Sequence, residues 1–244
     1  IFPARALCEE LTNRGLQVSL MTDQRGEAYE KLFPGADIIP VTSASPSVGG
    51  LLGKAVAAVK LLVGTVQSIL ILRRLKPTAV VGFGGYPSMP PAAAAAFLRI
   101  PLILHEQNAV LGRVNKLLAG MATRIATSFH HTESAEEEVI RKMNFTGNPV
   151  RREILELHGG PYAGPDQGND IRLLVLGGSQ GATVLSDVVP AAILALPEVL
   201  QSRLHIVQQC RSEDLERVEE AYAASKAKTT LASFFTNVPE LLSG

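Results

Sequence analysis

Tryptophan is absent from this 244-residue chain, and aromatic residues make up only 5% of it. Single-stranded nucleic acids are held largely by stacking bases on aromatic side chains, so this scarcity argues against that function class. An excess charge of either sign is also absent, since 23 Lys and Arg balance 23 Asp and Glu. Without a basic excess the chain lacks the general electrostatic grip that nucleic-acid binders use. Cysteine is rare. Cys8 and Cys210 stand far apart with no metal-ligand spacing, and they read as buried thiols in a reducing compartment rather than as a disulfide. A clean apolar run of the roughly 20 residues that span a bilayer is lacking as well. The nearest approach, at 51–75, holds Lys60 and Gln67 within its core and repeats apolar residues at helical spacing. It reads as an amphipathic helix packed on a sheet, with a membrane surface as a second role. No signal peptide is visible and the first residue is Ile, so a strand and its turn are expected ahead of residue 1.

What is present is a core-forming composition, 46% apolar, over a length that suits one large domain or two ordinary ones. Apolar, β-rich runs alternate with helical patterns. Helices are expected at 1–14, 26–33, 54–76, 90–98, 113–119 and 134–142, and strands at 16–22, 37–41, 79–83, 102–105 and 124–128. Residues 45–52 read as a Pro/Gly/Ser loop, and GGPYAGPDQGN at 159–169 breaks the pattern as a surface linker. Alternation then restarts, with strands at 171–176, 204–208 and 229–234 and helices at 182–196 and 212–225. Continuous apolar strands separated by helices imply parallel sheets covered on both faces. The restart implies two such α/β domains, 1–150 and 171–244, joined by 151–170. The second stops after three strands, short of the five or six of a doubly wound domain, so it reads as incomplete.

The balanced charge is unevenly spread. Residues 1–150 hold 15 basic and 11 acidic residues, while 151–244 hold 8 and 12. Between 54 and 124 lie nine Lys and Arg and a single acid, Glu106. Such a window suits a face for anionic lipid or phosphate, or it is ordinary surface charge.

Ligands of open parallel sheets bind beyond the carboxyl ends of the strands. Three expected strand ends carry small or polar turns: GFGGYPS at 82–88, HEQN at 105–108 and GGSQGA at 177–182. The third opens a helix. Its glycines let backbone approach a phosphate, free N–H groups at the helix start favour an anion, and Ser179 adds a hydroxyl. Equally, it is a tight strand-to-helix turn. It is not a Walker loop, because no Lys-Ser/Thr pair follows, and it lacks the full G-x-G-x-x-G pattern. His105 and Glu106 have the chemistry of an acid–base pair, but neighbouring strand residues point to opposite faces, which favours supporting roles. Asn108 suits a sugar hydroxyl or a turn. GNPVR at 147–151 ends in Arg151, whose guanidinium suits a phosphate or solvent. His130 and His131 read as an exposed loop pair.

In order and separation, four blocks resemble the MurG family of glycosyltransferases: GFGGYPS at 82–88, HEQNAVLGRVNK at 105–116, GNPVR at 147–151 and GGSQGA at 177–182. SFFTNVPELL at 233–242 is similar to the start of that family's donor-base region. The resemblance implies a GT-B architecture, with two Rossmann-like domains facing across a cleft. It implies an inverting transfer of N-acetylglucosamine from UDP-GlcNAc to the 4-hydroxyl of the muramyl sugar of lipid I, giving lipid II for peptidoglycan. It implies no cofactor or metal, and a peripheral place on the cytoplasmic face of the bacterial inner membrane. Partners would be UDP-GlcNAc, lipid I, anionic lipid and cell-wall or division proteins, with no nucleic acid. By motif match Asn108 would contact the donor sugar, Arg151 and Ser179 the diphosphate, and Phe235 the uracil. Tyr86, Glu106 and Asn115 would line the acceptor side. The same motifs carry Gly84, Gly85, His105, Gln107, Gly178, Gln180 and Gly181 as substrate-binding positions. The family's proposed base, a His, would lie ahead of Ile1, and its main uracil, ribose and GlcNAc-hydroxyl block after Gly244.

Three other readings compete. A different GT-B enzyme, such as a UDP-GlcNAc epimerase, would share the fold. A nicotinamide oxidoreductase would need a full G-x-G-x-x-G turn with an acid about twenty residues on, and no turn here supplies both. A non-enzymatic binding module or inactive fragment would fit a chain whose ends are missing.

Overall fold

The computed structural model describes all residues except 24–31, 46–49, 134–135, 161–163, 165–169, 179–180 and 244. Its contacts divide the chain into two units, Ile1–Arg152 and Glu153–Gly244.

In the first unit α1 (Phe2–Asn13) leads to a parallel pair, β1 (Ser19–Thr22) and β2 (Asp37–Pro40). The long α2 (Leu51–Leu75) follows, then β3 (Val80–Gly82), a 3-10 turn at Tyr86–Ser88 and α3 (Met89–Phe97). Next come β4 (Leu102–Glu106), α4 (Arg113–Leu118), β5 (Arg124–Thr127), α5 (Glu137–Lys142) and β6 (Met143–Phe145). β3 to β6 form one parallel sheet in sequence order. Its core gathers Leu102 and Leu104 of β4, Ile125 of β5, Val114 and Leu118 of α4, and Ala92 of α3. A β4 strand buried on both faces is what the apolar run at 102–104 dictates. The short α6 (Arg152–Leu155) lies at the boundary between the units.

α2 departs from the amphipathic reading. Its inward positions are small: Ala57, Gly64 and Ser68 are buried, joined by Leu72. A Cβ at Gly64 would run into the carbonyl of Thr42, so the helix crosses the end of β2 at backbone contact. Ser68 Oγ donates to the Gly64 carbonyl at 2.7 Å. α3 presents Ala94 and Ala95 to Leu72 in one cluster. The large aliphatics face outward, with Val59, Leu62 and Leu70 each more than 60% exposed. Residues Gly53–Leu75 are therefore long and apolar enough to cross a bilayer, with a mean hydropathy of 2.1. One side, however, is packed on α3 and tied to β2's end, where Gln67 Oε1 accepts from the Thr42 N–H at 2.9 Å. The helix closes on Lys76 in the left-handed region, with Arg73 and Arg74 in its last turn, where cations complement the helix dipole.

The second unit holds β7 (Ile171–Val175), α7 (Thr183–Leu194), α8 (Glu198–Gln201), β8 (Leu204–Gln209), α9 (Leu215–Ala223), β9 (Lys228–Ala232) and α10 (Val238–Ser243). Its sheet is parallel, ordered β7-β8-β9. Ile193, Leu204, Ile206, Cys210, Val218 and Tyr222 form the core. Gln208 is fully buried there. It accepts from Tyr222 Oη at 2.6 Å and donates to the Leu185 carbonyl at 3.3 Å. Burial pushes the Tyr222 phenol up to about 12. Cys8 and Cys210 are both buried and unpaired, as the composition indicated.

β6, α6, α8 and α10 were not legible in the sequence. β6 follows α5 with no turn residue and pairs Met143 with Ile125, so the expected helix at 134–142 gives way at once to a strand. The expected helix at 26–33, much of the 45–52 loop and most of the 159–169 linker fall on residues outside those described.

Candidate functional site

At the carboxyl ends of β3 and β4, two turns enclose a cavity of about 300 Å³. Phe83, Gly84, Gly85 and Tyr86 form one wall, and Glu106, Gln107, Asn108 and Asn115 another. Gly84 and Gly85 take φ of +75° and +74°, a region that strains any other residue. A Cβ at Gly84 would stand in ordinary contact with the Asn115 amide, 3.4 Å from its Nδ2, so the positive φ is the constraint there.

Glu106, at 1% exposure, organises the second wall. Its Oε1 accepts from the Asn108 N–H and from Asn108 Nδ2, both at 3.0 Å. Its Oε2 accepts from the Gly112 N–H and from Asn115 Nδ2, both at 2.8 Å. Four donors satisfy one buried carboxylate and fold 106–115 into a fixed loop, because an unsatisfied buried charge would be prohibitive. Asn108 is exposed, and its Nδ2 is drawn to Glu106 Oε1. Asn115 is 2% exposed, and its Oδ1 is buried with no hydrogen-bond partner among the described residues. The lone acid of the 54–124 window is thus internal, whereas all nine of its Lys and Arg are exposed. The charges that window shows to solvent are therefore all positive.

His105 turns inward and is 4% exposed. Its Nε2 reaches the Gly147 carbonyl at 3.2 Å and its Nδ1 reaches Gln107 Nε2 at 2.9 Å. Both ring nitrogens are engaged by protein, so His105 supports the turns rather than offering a free nitrogen. Burial pushes the imidazole below its usual value, against the opposing pull of the Gly147 carbonyl and Glu106. Gly147, with φ of +74°, starts the turn that carries Arg151. The Arg151 guanidinium lies over the Phe2 ring, 4.7 Å from its centroid. Nothing in the sequence signals that pairing of residues from opposite ends of the unit. Tyr86 is half-buried in the 3-10 turn.

The turn after β7 is built by the absence of side chains. A Cβ at Gly177 would lie 2.5 Å from the Ala182 N. Gly178 and Gly181 have φ of +76° and +75°. Ser179 and Gln180 lie outside the described residues. Arg211, just past β8, packs on Gly181 and donates from Nη1 to Thr183 Oγ1 at 3.3 Å. Its position at a strand's carboxyl end was the available signal, and it went unread. Phe235 is half-buried beyond β9. His130 and His131 are exposed, and His130 stacks on Phe145 at 3.6 Å. Among the described residues no three His, Cys, Asp or Glu side chains gather as a metal site.

Residues 1–127 match the Glycosyltransferase family 28 N-terminal domain, and residues 172–243 match the Glycosyltransferase family 28 C-terminal domain. Relatives from Paramagnetospirillum magneticum and Rhodospirillum centenum are 47% and 48% identical over 242 residues, 99% of this chain. Each is named UDP-N-acetylglucosamine–N-acetylmuramyl-(pentapeptide) pyrophosphoryl-undecaprenol N-acetylglucosamine transferase. The chain spans 65% and 64% of their lengths. Among solved structures, Acinetobacter baumannii MurG is similar at a TM-score of 0.65 and 27% identity, over 98% of this chain and 64% of that one. A UDP-GlcNAc 2-epimerase from Neisseria meningitidis reaches 0.64 at 13% identity, over 99% and 71%, which is a likeness of fold alone. The architecture is accordingly of the GT-B type, two Rossmann-like α/β domains with parallel sheets.

Proposed function

The chain belongs to glycosyltransferase family 28, and on that premise we propose that it serves an inverting transfer of N-acetylglucosamine from UDP-GlcNAc to the 4-hydroxyl of the lipid I muramyl sugar, yielding lipid II. The observation that carries this reading is the 47–48% identity, across 99% of the chain, to relatives named for that reaction. Both family domains are represented, the N-terminal one at 1–127 and the C-terminal one at 172–243.

In this reading the acceptor hydroxyl attacks the anomeric carbon and UDP departs with growing negative charge. Arg151, the turn at 177–182 and the Ser179 hydroxyl would stabilise that diphosphate, a preorganised electrostatic effect. Asn108 Oδ1 would accept from a donor-sugar hydroxyl, and Phe235 would pack at the uracil. Tyr86, Glu106 and Asn115 would shape the acceptor side, Glu106 by holding the loop and Asn115 through its unpaired Oδ1. The outward aliphatics of α2, with the exposed cations of the 54–124 window, support a peripheral seat on the cytoplasmic face of the bacterial inner membrane. Proteins of cell-wall synthesis or division would meet the enzyme there.

The test is UDP release from UDP-GlcNAc with a soluble lipid I analogue, on the full-length protein carrying this chain, beside Asn108→Ala and Arg151→Ala. Acceptor-dependent release that both substitutions depress about 10- to 100-fold is expected. Turnover without acceptor would instead indicate an epimerase or hydrolase. For the membrane seat, charge reversal at Lys60, Arg73 and Arg74 should weaken binding to anionic vesicles at low salt. Unchanged binding would sink that part.

A further inference from the structure

We propose that His105 is a positioning residue whose Nε2-protonated neutral tautomer fixes the direction of the Gln107 amide, so that Gln107 presents Oε1 to the cavity as an acceptor for a hydroxyl or amide N–H of a bound sugar. The ligand class rests on the transferase reading. The positioning itself rests on two carbonyls.

A carbonyl oxygen only accepts. The Gly147 carbonyl, 3.2 Å from His105 Nε2, therefore requires the proton on Nε2 and leaves Nδ1 as an acceptor. The His105 carbonyl, 2.9 Å from the Gln107 side chain, independently requires Nε2 of that amide to face it. The same amide nitrogen donates its other hydrogen to His105 Nδ1 at 2.9 Å. The two assignments agree, and Gln107 Oε1 is left as the end of a cavity-lining side chain that can receive a donor. The ring is held from its other side by Phe83, with centroids 5.3 Å apart, and His105's carbonyl also receives Asn115 Nδ2 at 3.1 Å.

A proton added to Nδ1 breaks this agreement. It would face the Gln107 NH₂ group, and rotating the amide to receive it would set Oε1 against the His105 carbonyl. Either way one hydrogen bond is lost, and after rotation the cavity meets a donor instead of an acceptor. The charged group acting on the imidazole is Glu106, and that carboxylate is committed to its four donors. The remaining contacts are Phe83, Gln107 and the Gly147 backbone, none of which titrates. Burial lowers the imidazole's proton affinity, in keeping with a neutral ring at physiological pH.

Two substitutions separate the ring nitrogens. His105→Asn keeps an acceptor near Nδ1 and gives up the bond to Gly147. His105→Gln keeps a donor near Nε2 and gives up the acceptor for Gln107. Neither titrates. The unmodified protein should lose kcat/KM as pH falls below the ordinary imidazole range, since the folded group titrates below it. His105→Asn should lack that limb and retain more neutral-pH activity than His105→Gln, which should fall about ten-fold at every pH, the worth of one hydrogen bond. Urea midpoints of both variants separate this from unfolding. Equal losses in the two variants, or an acid limb that persists in His105→Asn, would overturn the proposal. Failure of the unmodified protein to release UDP with acceptor would instead count against the transferase reading. In that case the ¹⁵N resonances of the His105 ring decide the positioning claim without turnover. A ring protonated on Nε2 is expected at neutral pH, and one protonated on Nδ1 would overturn it.

Discussion

The two units build the turns at their strand ends by opposite means. The first builds its cavity with side chains, as Glu106 gathers Asn108, Gly112 and Asn115 into one loop and His105 aligns Gln107. The second builds its turn by leaving side chains out, at Gly177, Gly178 and Gly181. Under the proposed reaction the difference matches the groups that each turn would meet. Sugar hydroxyls have direction and need acceptors and donors aimed at them. A diphosphate is a diffuse anion that backbone N–H groups serve well, provided no Cβ keeps it away.

If the contrast is sound, the largest effect belongs to the side-chain hub. Glu106→Ala would take the shared acceptor from four donors, one of them on the buried Asn115, and leave a cavity at a buried site, so it should destabilise the first unit by roughly 3 kcal/mol, read as a shift in urea unfolding. Glu106→Gln, which turns an NH₂ toward two of those donors, should fall between Ala and the unmodified protein. A loss under about 1 kcal/mol for Glu106→Ala would dissolve the distinction between the units. Gly177→Ala comes next. Its Cβ meets the Ala182 backbone, which cannot swing aside as a side chain would, and overpacking of that kind costs about 1–3 kcal/mol. The clearer readout is UDP affinity, expected to fall at least ten-fold with the urea midpoint of the first unit unmoved. Smallest is the stability effect of Asn108→Ala, under about 1 kcal/mol, because Glu106 Oε1 keeps the backbone N–H of residue 108. A large destabilisation there would make Asn108 part of the scaffold rather than a ligand contact.

Much of this was legible in sequence, for reasons tied to particular residues. Apolar runs ending in glycine marked β3 and β7, and the run from Leu102 announced a buried strand at 102–105, which the structure extends by one residue to the hub, Glu106. His105 and Glu106, neighbours on the strand, make separate sets of side-chain hydrogen bonds. β6 escaped because three residues, Met143–Phe145, carry no periodicity, and only pairing with β5 makes them a strand. The His105–Gly147 bond and the Arg151–Phe2 contact escaped because sequence separation hides them. The orientation of α2 escaped for another reason. Its heavy apolar content satisfies any helical pattern, and only the carbonyl of Thr42 beside Gly64 reveals which side must be thin.

That arrangement inverts the usual rule of inheritance for a helix. Ordinarily the hidden side tolerates little change and the visible side drifts freely among polar residues. In α2 the hidden side is limited by volume, so that Ala57, Gly64 and Ser68 have almost nothing to exchange with. The visible side is limited by character, trading Val for Leu or Ile and carrying Lys54, Lys60, Arg73 and Arg74 but no acidic residue. A catalogue of tolerated substitutions along this one helix would therefore read as though it had been turned inside out.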